Sequence, residues 1–109
     1  MIKPDKLPEW VEDEVLAICR GYDMRASYLM RRNGAGDRVY AVYAKYNSAI
    51  DRSIERTCDG ANEAAAMRLA LTEGMTWERI TACACGRRRF YELRRLAIWR
   101  IATELQLLN

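Results

Sequence analysis

Breaks decide the fold class of this 109-residue chain. Gly21, "NGAGD" at 33–37, "CDGAN" at 58–62, Gly74 and Gly86 divide it, and the intervening segments carry apolar residues at helical spacing. In "DKLPEWVEDEVLAICRG", Pro8 suits a first turn, Glu9, Glu12, Asp13 and Glu14 favour a helix N-terminus, and Gly21 offers a stop. Trp10, Val11, Val15, Ile18 and Cys19 supply its apolar side. "YDMRASYLMRRN" forms a second short helix or continues the first past a weak break. A longer helix runs from Arg38 to about Thr57, with Val39, Val42, Tyr43, Tyr46, Ala49, Ile50 and Ile54 on one side. Its tyrosines at 40, 43 and 46 read as a half-buried core edge rather than a base-stacking platform. Asn62 can cap the next helix, in which Ala66, Met67, Leu69, Ala70 and Leu71 pack and which Gly74 ends.

The last third reads as two helices. Thr76 can cap a helix of about two turns over "WERITACA". A tight turn at Cys85-Gly86 follows, and "RRRFYELRRLAIWRIATELQLL" runs to the end. The expected fold is all-α: a single domain, a bundle of about five helices, with residues 1–60 as N-terminal helices and 62–106 as a helix-turn-helix.

Charge and cysteines bound the chemistry. Residues 1–75 carry eleven Lys+Arg against twelve Asp+Glu, whereas 76–109 carry seven arginines, no lysine and three glutamates. A basic module therefore follows a nearly neutral body, and its cations are all of the kind that grips phosphate and guanine in a bidentate way. Zinc is not expected, because the chain has no histidine and its only close cysteine pair, Cys83 and Cys85, would point about 200° apart on a helix. Cys19, Cys58, Cys83 and Cys85 read as small buried hydrophobes. The charged start "MIKPDKLPEW" is unlike a secretory leader, so structural disulfides are not expected and a cytoplasmic location is. No apolar run approaches the roughly eighteen residues of a membrane span. No catalytic set and no cofactor are expected either: no motif pairs a nucleophile with a base, and "NGAG" lacks the lysine of a phosphate loop.

On the last helix, Phe90, Leu93, Ala97, Ile101 and Leu105 share a sector of roughly 100°, the side that must pack inward. Arg88, Glu92, Arg95 and Trp99 lie opposite, with Tyr91 at the border and Arg87, Arg89 and Arg94 on the flanks. The N-terminal turns of a recognition helix are where side chains reach base edges. Trp99, beyond the reach of a groove, would cover a dimer contact or pack on the N-terminal helices.

Gly74, Thr76, Trp77, Glu78 and Ile80, followed by Arg88, Phe90, Tyr91, Leu93, Arg94 and Ala97, resemble the C-terminal helix-turn-helix of RinA/ArpU-type phage and prophage transcription regulators. That part of the family is itself similar to region four of sigma factors. The resemblance covers about residues 62–106; "ACACG" is about one residue shorter than the family turn, and Gly86 takes the capping position. It implies a non-enzymatic regulator that reads double-stranded DNA with a recognition helix over 87–100 and acts beside host RNA polymerase or as a homodimer on a promoter, a higher oligomer being the mark of the packaging alternative. The DNA-contacting set is then Thr76, Arg87, Arg88, Arg89, Tyr91, Glu92, Arg94 and Arg95. Two alternatives stay open. One is a small-terminase-like packaging subunit whose apolar tail (Ile98, Trp99, Ile101, Leu105, Leu107, Leu108) supports self-association. The other is a protein-interaction module with an Arg-rich face.

Overall fold

The computed structural model describes residues 2–32, 34, 36–80 and 85–108. After a 3-10 turn at Pro4–Lys6 come five α-helices: α1 (Glu9–Arg20), α2 (Tyr22–Arg31), α3 (Arg38–Thr57), α4 (Ala61–Glu73) and α5 (Arg87–Glu104). No strand occurs among the described residues, and no helix is long and apolar enough to cross a membrane. The all-α bundle expected from the spacing is the observed fold.

α1, α4, α5 and the C-terminal half of α3 enclose the core. α1 contributes Val11, Val15 and Cys19 from one face, α3 contributes Ala49, Ile50 and Ile54, and α4 contributes Ala66, Met67, Ala70 and Leu71. Phe90, Ala97, Ile98, Ile101 and Ala102 of α5 complete it, and Leu105 closes its end. The inward sector of α5 is therefore wider than predicted, while Leu93 is only half-buried. Cys19 and Cys58 are buried, as the small-hydrophobe reading requires, whereas Cys85 is only half-buried. Gly74 ends α4 at φ 70°, a left-handed conformation that glycine adopts without penalty.

α2 and the N-terminal half of α3 stand apart from this body as an arm. α2 packs on α3 and meets α1 only around their junction at Gly21. Asp37 caps α3 by accepting from the Tyr40 amide at 3.1 Å, and it also accepts from the Tyr28 hydroxyl at 2.7 Å. Tyr28 and Tyr43 meet edge to face at 5.2 Å. At the base of the arm, Arg25 is buried without a carboxylate: its Nε donates to Asn47 Oδ1 at 2.8 Å, and its guanidinium reaches the Ile18 carbonyl at the end of α1. Burial holds its pKa below the ordinary arginine value. A Cβ on residue 21 would stand 2.5 Å from that guanidinium, which is a packing reason for Gly21.

Several expectations need correction. Trp10, Val39 and Val42 follow the apolar period but are 64%, 45% and 45% exposed, because no further helix covers those faces. Asn62 lies inside α4; Gly60, at φ 89°, is its N-cap, and Glu63 reaches back to accept from the Asp59 amide at 2.9 Å. The two-turn helix expected over "WERITACA" is replaced at its start by a 3-10 turn, Trp77–Arg79, with Ile80 extended; residues 81–84, including Cys83, lie outside the described residues. The apolar tail is not a free surface. Ile98, Ile101 and Leu105 are buried in the chain's own core, and Trp99 Nε1 donates to the Ile2 carbonyl at 2.7 Å, so Trp99 packs on the N-terminal segment.

Candidate nucleic-acid interface

Gly86 caps α5 with its carbonyl, which accepts from the Phe90 amide at 3.0 Å. The first turn then consists of Arg87, Arg88 and Arg89. Cations at this end oppose the helix dipole, so local stability does not favour them there. The cost is offset by acids brought in from elsewhere.

Arg87 pairs with Glu78 at 2.7 Å and lies over the Tyr91 ring, 5.3 Å from its centroid. Their contact lowers the pKa of Glu78 and raises that of Arg87, in both cases chiefly through the hydrogen bond between them. Arg89 turns toward the start of α4, 3.3 Å from Asp59 and 3.8 Å from Glu63. Arg94, only 24% exposed, turns the other way to Glu12 of α1 at 3.4 Å. Arg88 is 94% exposed and contacts only Glu92, one turn along the same helix, at 3.3 Å. Arg95 is exposed and has no hydrogen-bond or ion-pair partner among the described residues.

The structure thus brings five of the predicted residues together. Arg87, Arg88, Tyr91, Glu92 and Arg95 line one shallow hollow on the outward side of α5. It does not bring in the other three. Arg89 and Arg94 are tied to α4 and α1, and Thr76 is exposed ahead of the 3-10 turn, where its side chain makes no capping bond. The last point corrects its reading as a helix cap; a single 3-10 turn leaves fewer orphan amides to cap.

Sequence reading missed what aims α5. Trp77 Nε1 donates to the Cys85 carbonyl at 3.0 Å, and the Trp77 amide donates to the Tyr91 hydroxyl at 3.2 Å. The segment before the arginine run is thereby pinned to the helix that follows, and "TWERI" meets "RRRFYEL" in space as well as in sequence. Tyr91 is fixed from the other side by an edge-to-face contact with the buried Phe90, at 5.3 Å. Glu78 was legible only as the acid between Trp77 and Arg79; nothing in its spacing identifies Arg87 as its partner. Among the described residues, no group of three or more carboxylates and cysteines is placed to hold a metal ion.

No family model matches this chain, and neither a curated protein nor a solved structure is detectably similar to it.

Proposed function

We propose that the protein is a non-enzymatic, sequence-specific DNA-binding regulator of phage or prophage genes, acting in the cytoplasm, that lays the first three turns of α5 in the major groove. The observation that carries this reading is the outward side of α5, where Arg87, Arg88 and Arg95 surround Tyr91 and no other helix covers them. A phosphate at the α5 N-terminus would meet open amides and arginines together, turning the local dipole cost into a binding gain. Exposed ion pairs such as Arg87 with Glu78 are weak enough to be exchanged for phosphate contacts. Arg88 and Arg95 are the side chains for base edges, and Glu92 either orients Arg88, as in its present contact, or accepts from cytosine N4. Contact with host RNA polymerase rests on the resemblance to sigma region four. The packaging-subunit alternative loses its apolar tail as a self-association surface, because Ile98, Ile101 and Leu105 are buried in the core.

Selection of bound duplexes from random DNA, followed by gel-shift titration of Arg88→Ala and Arg95→Ala, tests the reading. Each substitution is expected to weaken specific binding by about 1–3 kcal/mol. Unchanged affinity in both would remove the recognition face. A failure to bind any duplex at low salt would assign the same face to an acidic protein partner instead.

A further inference from the structure

With the C-terminal tail buried, any self-association must use another surface, and two exposed patches of opposite sign are present. On α1, Trp10, Asp13, Glu14 and Ala17 recur at i, i+3, i+4 and i+7, and all four are exposed on the side opposite buried Val11, Val15 and Cys19. Residues 5–14 hold five carboxylates and one lysine. Neither Asp13 nor Glu14 has an ion-pair partner among the described residues, and the Trp10 ring between them is 64% exposed.

The tip of the α2–α3 arm is the counterpart. Residues 31–45 hold four cations and one carboxylate, Asp37, which is occupied by Tyr28 and the Tyr40 amide. Arg31, Arg32 and Arg38 are exposed and form no ion pair among the described residues; Arg31 donates to the Ser27 carbonyl and Arg32 lies over Tyr28. Met30 beside them is 88% exposed, and Val39 and Val42 are 45% exposed.

Among the described residues no ion pair joins the two patches within one chain. α1 and α2 share only the junction at Gly21, and at 1.5 Å per residue Trp10 and Met30 lie about 16 Å and 14 Å from it along separate helices. We propose that the Trp10 face of α1 docks on the arm tip of a second copy of this chain, a head-to-tail contact joining an acidic apolar patch to a basic apolar one. Such a contact joins two unlike patches, so it closes as a two-fold dimer where the two copies exchange it reciprocally and builds a ring or a chain where they do not. The apolar half of the arm tip favours a protein occupant over nucleic acid, because a phosphate backbone has no use for Met30, Val39 or Val42.

Sedimentation and light scattering of the full, nucleic-acid-free chain test this directly. The wild type gains mass with concentration and loses it with salt. Asp13→Lys/Glu14→Lys and Arg31→Glu/Arg38→Glu each weaken association by about tenfold or more. Equimolar mixing of the two variants restores it, since the native patches pair with each other and the two reversed patches are complementary as well. All four positions are exposed, and thermal unfolding checks that both variants stay folded. A wild type that stays monomeric at low salt overturns the proposal, as does association indifferent to either variant. So does an arm variant that loses DNA binding while the oligomer's mass is unchanged, which would make the tip a second nucleic-acid contact. Gel shifts on the α5 variants are read separately, so failure here leaves the DNA reading standing.

Discussion

Arg88 and Arg94 stand six positions apart on one helix and have different surroundings. Arg94 is mostly covered and ends on Glu12 of α1; Arg88 is almost wholly in solvent and touches only its own helix. Arg89 resembles Arg94, reaching Asp59 and Glu63 at the start of α4, whereas Arg95 resembles Arg88 and has no partner among the described residues. The difference comes from neighbours rather than from residue type. α1 and α4 flank α5 on either side and bring carboxylates to its flanks, while its outward side is covered by no α-helix and meets the Trp77–Arg79 turn through Glu78 and the Trp77 amide. Arginines on the flanks are tied to neighbouring elements by weak ion pairs, and Arg88 and Arg95 on the outward side have no hydrogen-bond or ion-pair partner beyond α5 among the described residues. Counting seven arginines in the last third therefore overstates the size of the binding face.

This comparison extends to the inward face, where the largest effect is expected. Phe90 is completely buried beneath the arginine turn, so Phe90→Ala should cost about 3–5 kcal/mol in urea unfolding and release the whole start of α5. A loss under about 1 kcal/mol would mean that α5 is not anchored there.

Cys19, also on the core side, gives a pH test. Burial pushes its thiol pKa from the ordinary 9.0 up to about 12. The unfolded chain thus releases the proton first, and stability should fall as pH rises from about 9 toward 12, by up to about 4 kcal/mol. Cys19→Ala should lack that part of the decline; matching curves for the two proteins would show that the thiol is not buried.

On the outward side, Arg88→Ala and Arg95→Ala should leave unfolding within about 0.5 kcal/mol of wild type while weakening DNA binding. The smallest effects belong to the flanks. Arg89→Ala and Arg94→Ala should each cost under about 1 kcal/mol of stability and leave DNA affinity nearly unchanged. A flank variant that loses DNA binding while an outward variant keeps it would reverse the comparison.

Much of this was legible in the sequence because the breaks are chemically explicit. The Arg38–Thr57 helix, Gly21, Gly74 and the Gly86 cap all follow from local residue chemistry, and the helical wheel put Arg88, Glu92 and Arg95 opposite Phe90 and Ala97. Periodicity says which side of a helix is apolar, but not where its neighbours stop, so Trp10, Val39 and Val42 fit the apolar side and are nevertheless exposed. The flank pairs were hidden for a related reason. Arg94 with Glu12 and Arg89 with Asp59 join residues 82 and 30 positions apart, and no local pattern encodes such pairs. The 3-10 turn at Trp77–Arg79 departs from the expected helix because Trp77 is drawn to Cys85 and Tyr91, contacts that exist only after α5 has folded back.

The salt dependence of duplex-DNA affinity, measured below the concentration of self-association, tests the central claim most directly. For the wild type, the logarithm of the association constant should fall linearly with the logarithm of salt. Arg87→Ala, which removes the phosphate-contacting cation at the start of α5, should lose about one unit of that slope, and Arg89→Ala/Arg94→Ala should keep it. Equal slopes for all three proteins, or a larger loss in the flank variant, would contradict the assignment of the outward side of α5 as the DNA-reading surface.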